Sequence, residues 1–443
     1  MESHQSKKIL NFLIFLFPLS FTIGSAAINI DILLISILGF FIYKKEIFQI
    51  KKDYILIIII IFFMFLVLST ILNYYNNLSH PNVIKSFIYL RYLLFALILR
   101  CMVEKNDLNL KYLLFSCLAF VILISLDINY QYFIGENLLG FETSQWHNSG
   151  IFNKELIAGG YIQRFACLGI FFLPIFFADK KKELLLYLTG ILVFIFVSLI
   201  FAGNRMPVFI FLLFIFLGIL FVKETRNSFI LASILSIVSF VIILNNDHKM
   251  RAYFSSLYDN ALTIFPIIIK EQKANYENVK SKEGERFVNE YLEGKKDFSD
   301  WNAFGSGHAT IFSTAIDTFR DRPLFGGGIK SFRVNCKSKL NLPNRTCESH
   351  THNYYLEILN DTGLVGLLLI IFPVFYLLIK RYKKLSKNDF ILTAIILCLI
   401  LEFFPFRSSG NFFSTLNSSY LFFLIGLLLG YKKISKLNFY NIF

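Results

Sequence analysis

The sequence predicts an all-α, polytopic membrane protein of about twelve transmembrane helices, with a large, partly helical periplasmic loop between the ninth and tenth. Three observations carry that reading. Hydrophobic residues make up 56% of the 443 residues and charged residues only 17%, against roughly 25% charged in soluble domains. The mean hydropathy is +0.59. The apolar residues also come in unbroken runs such as Ile55–Leu68, not in the polar–apolar alternation that β-barrel strands need. Disorder is excluded by the apolar content. A small disulfide scaffold is excluded by the length and by six Cys in the whole chain.

A helix that crosses a bilayer needs ~20 mostly apolar residues. Such windows fall, in order, at 9–25, 27–43, 54–72, 83–102, 109–127, 157–178, 184–202, 206–222, 228–244, 355–379, 390–404 and 415–431. The first is followed by no small-residue cleavage site and reads as a retained helix, not a signal peptide. The fourth carries Arg91, and the eleventh is short. The others are continuous in apolar character.

Charge supports the same count. Cytoplasmic loops are enriched in Lys and Arg. An inside N-terminus places Lys7 and Lys8, the Lys44–Lys52 group, Arg100 with Lys105 and Lys111, Lys180–Lys182, Lys223 with Arg226, the Lys380–Lys387 cluster and Lys432–Lys436 in the cytoplasm. That is half of the 44 basic residues. The short outer loops hold only Lys154, Arg205 and Arg407, with Lys85 near an edge. Both termini are therefore expected inside. The net charge of +14 follows from this inside excess. No compact basic domain exists to bind nucleic acid. The organisation is helices one to nine in 1–244, a loop domain in 245–353, and helices ten to twelve in 354–443. Long loops of this kind are usually functional.

Polar residues at the membrane surface or inside spans are the informative ones. His350 and His352 stand in Ser349–Glu357, where the loop re-enters the membrane. A neutral imidazole there can take a proton from a hydroxyl; it can equally be a hydrogen-bonded cap at a helix start. A metal site needs a third ligand, and none is evident nearby. Arg205 lies in the tight outer turn Ala202–Pro207 with no acidic neighbour. Its guanidinium suits a phosphate, or lipid headgroups. Arg164 lies within the sixth span, and Arg91 within the fourth. A central Arg costs ~3 kcal/mol on insertion scales, so each lines a cavity or pairs, with Glu155, Asp127 or Glu402. The stretch Ala309–Phe319 reads as an amphipathic helix stopped by Pro323 and the triplet Gly326–Gly328. Those glycines either admit a ligand to the backbone or make a plain turn. There is no Walker pattern. Cys336 and Cys347 in the loop are either a disulfide or two free thiols.

With these residues in view, the chain resembles the O-antigen ligase and polymerase superfamily. Its members are bacterial inner-membrane glycosyltransferases that use undecaprenyl-pyrophosphate-linked glycans. The resemblance rests on span number, cytoplasmic termini and the late outer loop. It rests too on the signature His352-Asn353, nine residues Tyr354–Thr362, then Gly363, with Gly366 following. Arg322–Gly328 is similar to the segment that precedes the signature in that family. Ser149–Phe152 and Pro405–Phe413 are similar to other parts. The resemblance implies that His352 is the general base or orients the acceptor hydroxyl. It implies that Arg205 grips the pyrophosphate; Arg164, or Arg320 and Arg322, would help to hold it. The family has a second functional Arg near the last loop helix; here that place holds His308, with Arg320 and Arg322 a few turns on. His350 and Arg407 are further candidates for contact with pyrophosphate or glycan. No metal or other cofactor is implied, because cationic side chains can stabilise the departing diphosphate. The implied partners are the lipid-linked donor, a lipid A–core or glycan acceptor, and the bilayer, with a separate chain-length regulator as a further candidate. A ligase onto the lipid A–core is the favoured reading, since the His-Asn signature is intact. A polymerase of the same superfamily is the alternative. A transporter suits the span number, but the long outer loop and the absence of a clear half-to-half repeat speak against it.

Overall fold

The computed structural model describes residues 2–49, 53–76, 81–144, 146–153, 155–254, 307–342, 345–383, 385, 389–408 and 410–431. In chain order the helices are α1 (Glu2–Ile23), α2 (Ser25–Ile47), α3 (Tyr54–Tyr75), α4 (Val83–Glu104), α5 (Leu110–Ile134), α6 (Ala158–Gly169), α7 (Phe172–Phe176), α8 (Lys181–Phe201), α9 (Arg205–Phe221), α10 (Arg226–Asn246), α11 (Gly307–Arg320), α12 (Phe332–Asn335), α13 (Tyr354–Tyr382), α14 (Phe390–Glu402) and α15 (Thr415–Gly430). Among the described residues the only pairing of strand type is one isolated bridge, Glu136 with Glu142.

Short polar side chains set several helix starts. Asp53, Asn82, Asn109, Asn353, Asp389 and Ser414 each accept the backbone N–H of the residue three further on. Each such cap contributes about 1 kcal/mol. α15 is apolar and buried all round, as expected of a helix at the centre of a bundle. It lies close against α4: a Cβ on Gly426 or Gly430 would come within 2.8 Å of Ala96 O or 2.5 Å of Arg100 O. Small residues allow this close approach between membrane helices. By contrast, Ile230, Ile234, Ile237 and Val241 of α10 are exposed. That is an outward apolar stripe suited to lipid.

Two expectations from the sequence need correction, the continuity of the sixth span and that of the tenth. Nine stretches among the described residues are long and apolar enough to cross a membrane; α9, α14 and α15 are apolar but shorter. The 13 residues of α14 cover roughly 20 Å at 1.5 Å per residue. Beyond it the chain is irregular, with Phe403, Arg407, Phe412 and Phe413 buried and Pro405 and Phe406 exposed. Non-helical backbone is tolerated at membrane depth only when protein surrounds it. The sixth span is not one helix over 157–178. It breaks between Gly169 and Phe172, where Pro174 lacks the N–H that residue 170 would accept.

The tenth span is not continuous either. α13 has non-helical geometry at Gly363, φ 67° and ψ −169°. The glycine-rich segment fills the break. Gly327 N–H and Gly328 N–H donate to the carbonyls of Asn360 and Asp361, both at 2.8 Å. In return, Leu364 N–H and Val365 N–H donate to the carbonyls of Pro323 and Leu324, at 2.9 and 3.2 Å. Backbone groups freed by the kink are thus satisfied by a segment more than thirty residues earlier. Side chains reinforce the junction. Asp361 accepts from Lys330 N–H (2.7 Å) and the Ser331 hydroxyl (3.2 Å), and Lys330 Nζ bonds Glu357 (3.2 Å). From α3, Ser69 and Asn73 donate to the carbonyls of Phe325 and Gly326, and Thr70 accepts Ile329 N–H.

The remaining described loop residues pack against this junction. Ile311, Ala315, Phe332 and Cys336 form a small core of their own. Cys336 and Cys347 are joined as a disulfide, with Cα atoms 5.2 Å apart. Residues 255–306 of the expected loop domain lie outside the described residues.

Two outcomes test these features. A Cβ at Gly363 would stand 2.3 Å from Leu324 O, whereas one at Gly190 in α8 meets nothing. Gly363→Ala should cost at least ~2 kcal/mol, from positive φ plus collision, and lower Tm in detergent. Gly190→Ala should leave Tm unchanged or raise it slightly; equal Tm values for both variants would contradict the junction. Thiol titration of denatured protein should give four thiols before reduction, for Cys101, Cys117, Cys167 and Cys398, and six after. Six before reduction would rule out the bridge.

Candidate active site

The signature pair His352-Asn353 sits at the start of α13. Asn353 is its N-cap, accepting from Tyr355 N–H (3.0 Å) and Leu356 N–H (3.2 Å). Its amide also donates to the carbonyls of Pro405 (2.8 Å) and Arg407 (3.3 Å). One side chain therefore ties the helix start to the irregular stretch after α14. His352 is half-buried and has φ 56°. A non-glycine residue in that region carries strain of about 1–3 kcal/mol, and such strain clusters at functional sites. The His350 ring lies 4.0 Å from the His352 ring, and Ser349 Oγ is 2.9 Å from His350 Nδ1. Among the described residues no three His, Cys, Asp or Glu side chains gather as metal ligands do.

Beneath this helix start is a buried charge cluster. Glu402 Oε1 accepts from Arg164 (2.8 Å) and from the Tyr354 hydroxyl (2.6 Å). Its Oε2 accepts from Arg164 Nε (3.2 Å) and Arg407 (2.7 Å). Arg164 donates further to Asn417 (2.6 Å). Arg164, Arg407 and Glu402 are 4%, 5% and 2% exposed, so two guanidiniums share one carboxylate away from water. Such a pair persists only with good geometry and satisfied donors, and here the Arg164–Glu402 contact is bidentate. Of the partners weighed for Arg164, Glu402 is the one in contact. Its packing inside the bundle suits orienting Arg407 better than meeting a ligand.

Arg205 begins α9. The preceding turn is clamped from both sides: Asn148 donates to Phe201 O (2.6 Å), and Asn204 Oδ1 accepts Gly159 N–H (3.0 Å). Gly203 has φ 71°, and a Cβ there would strike Trp146 O at 2.0 Å, so glycine is required. The Arg205 guanidinium lies over the Tyr253 ring, 3.9 Å from its centroid, and donates to Tyr253 O. Trp146 and His147 pack on the same ring. Burial lowers the His147 pKa below its ordinary value, which favours the neutral imidazole beside Arg205. One turn into α9, the Phe209 ring is 5.6 Å from that of Phe404, next to the Pro405 that Asn353 holds. The helix that Arg205 begins and the helix start beside His352 thus both contact the Phe404–Arg407 segment.

The loop candidates divide. Arg322 donates to Asn73 (3.4 Å) beside the glycine segment. Arg320 is exposed and pairs with Asp317 (3.3 Å). His308 is on the first turn of α11, and its side chain lies outside the described ones. Sequence reasoning passed over Tyr354, Asn417, Glu357 and Asp361. The acids in the tenth span were a readable signal, since ionisable residues at membrane depth are costly. The aromatic wall of Trp146 and Tyr253 had no local signal.

A family model described as O-antigen ligase matches residues 190–371. That stretch runs from α8 into α13 and contains the Arg205 turn, the glycine segment, His352-Asn353 and Gly363. The resemblance of the chain to the O-antigen ligase superfamily is therefore shown over this stretch. It implies a glycosyltransferase-type membrane enzyme working on lipid-linked glycans. No curated protein matches the chain significantly.

Removing the shared carboxylate tests the cluster. Glu402→Gln leaves two buried guanidiniums without a counter-charge, which should cost about 3–5 kcal/mol and lower Tm by several degrees. An unchanged Tm would mean that the pair is not buried as described.

Proposed function

We propose that the chain is an O-antigen ligase-like glycosyltransferase. It moves a glycan from undecaprenyl pyrophosphate to a sugar hydroxyl of the lipid A–core, on the outer face of the bacterial inner membrane. The observation that carries this reading is the match over residues 190–371, which spans both Arg205 and His352. The alternation of basic loops supports cytoplasmic termini and about twelve crossings, with α9, α14 and α15 as short spans. The loop 245–353 then lies outside, where a disulfide is at home.

The chemistry is a single displacement. The acceptor hydroxyl oxygen attacks the anomeric carbon while the bond from that carbon to the pyrophosphate oxygen breaks. The bonding pair leaves with the diphosphate, the hydroxyl proton passes to the neutral His352 imidazole, and the anomeric configuration inverts. His352 is held for this by the Asn353 cap and by His350 against its ring. Charge builds on the leaving oxygen, so fixed cations stabilise the transition state more than the ground state. Arg205 supplies a planar fork for the diphosphate. Arg407 supplies a second cation, and Arg164 acts as a positioning residue through Glu402. Arg322, beside the glycine segment, is a further loop cation for the diphosphate. Arg320 and His308 remain candidates for contact with the glycan. The lipid tail stays in the bilayer, so the donor enters sideways between helices.

Purified protein given lipid-linked glycan donor, with and without lipid A–core, tests the reading. Glycan should appear on the core only when core is present. His352→Ala should reduce transfer by at least ~100-fold, the usual scale of general-base catalysis, and Arg205→Lys should impair it too. Lipid-linked chains that lengthen without core would instead make the protein a polymerase. Full turnover by His352→Ala would remove it as the base.

A further inference from the structure

The opposite end of the bundle holds a second polar cavity. It lies between α3, α4, α13 and the end of α15 and has a volume of about 500 Å³. Its polar part is made by Arg100, Arg381 and Lys380 with Asp53 and Glu104, three cations to two carboxylates. The carboxylates are engaged: Asp53 caps α3 through Leu56 N–H (3.3 Å), and Glu104 pairs with Arg100 (3.2 Å). The guanidiniums are not saturated. The Arg100 side chain is only 9% exposed. It donates to Glu104 and to Gln49 O (3.3 Å), but its Nη1 has no hydrogen-bond partner among the described residues. Arg381 donates to Leu429 O (2.9 Å), and its Nε likewise has no partner among the described residues. A buried donor left unpaired costs about 1–3 kcal/mol, more when charged. The two arginine side chains line a cavity where three cations meet two carboxylates that are already engaged, an excess of positive charge that suits an anion.

The rest of the lining tells which anion. Tyr54, Phe372 and Tyr376 line the same cavity and are 76%, 61% and 50% exposed. They therefore continue the cavity onto the outward apolar surface of α3 and α13. A free phosphate meets the cations but leaves this wall unused. We propose that the cavity binds the phosphate headgroup of an anionic phospholipid, with the acyl chains running along α3 and α13. Basic pockets between membrane helices recognise lipid headgroups in this way. The site is separate from His352, about 40 Å along a helix at 1.5 Å per residue.

Native mass spectrometry of the full-length protein in detergent tests this. The protein is titrated with phosphatidylglycerol, with phosphatidylcholine and with inorganic phosphate. Wild type should retain phosphatidylglycerol at about tenfold lower concentration than Arg381→Gln, the scale of one lost charged hydrogen bond. Phosphatidylcholine should bind both alike, and millimolar inorganic phosphate should not displace the lipid. Equal phosphatidylglycerol retention by wild type and Arg381→Gln would overturn the proposal. So would displacement by phosphate without preference between the two lipids, which would assign the cavity to a free anion. Should Arg381→Gln fail to fold, Lys380→Gln at the exposed rim must show a loss in the same direction, and no loss there is equally fatal.

Discussion

Four backbone hydrogen bonds between the glycine segment 323–328 and the broken helix around Gly363 organise the end of this protein that carries His352. At membrane depth no water satisfies a carbonyl released by a kink, so a helix can open there only where another segment closes the gap. Just after the segment that does so come Lys330 and Ser331, which anchor Asp361 and Glu357. Glu357 in turn accepts Phe412 N–H at 2.6 Å, and Asn353 reaches Pro405 and Arg407. The first turns of α13 are thereby pinned to both the loop that precedes them and the chain after α14. His352 inherits its position from this pinning, including a backbone geometry that a free loop would abandon.

The charges follow the same logic. Burying Arg164 and Arg407 is tolerable only because Glu402 accepts from both, and that carboxylate lies at the end of a helix shortened by the irregular connection. Arg205 is handled differently, its guanidinium lying on an aromatic ring at the bundle end. A guanidinium that is weakly hydrated and already oriented loses little on meeting a diphosphate. Shortness of α9, α14 and α15, the feature that departs most from an ideal membrane bundle, is what brings non-helical backbone and polar side chains to one place.

Much of this was legible in the sequence. Helices stand where apolar windows stood, because hydropathy over some twenty residues is a local property. The two breaks were not read. Gly169 to Phe172 looked continuous because Pro174 is tolerated within membrane helices. Gly363 was recognised as part of a signature, yet the reason for it lies in Leu324, which only tertiary structure brings close. For Arg164 the sequence narrowed the partner to three acids, and contact selects Glu402. Lys330 gave no warning, since its burial depends on two carboxylates a turn apart on a helix not adjacent in sequence. Tyr253 and Trp146 were invisible for the same reason: their role is to pack on Arg205, across three separate segments.

The central claim is that Arg205 and His352 serve one lipid-diphosphate donor at one end of the bundle. A cryo-electron microscopy structure with undecaprenyl pyrophosphate bound tests it most directly. The account predicts diphosphate density against the Arg205 guanidinium and on the Arg407 side of the Phe404–Arg407 segment, with the lipid leaving between helices. Diphosphate density remote from both arginines, or at the opposite end of the bundle, would contradict it.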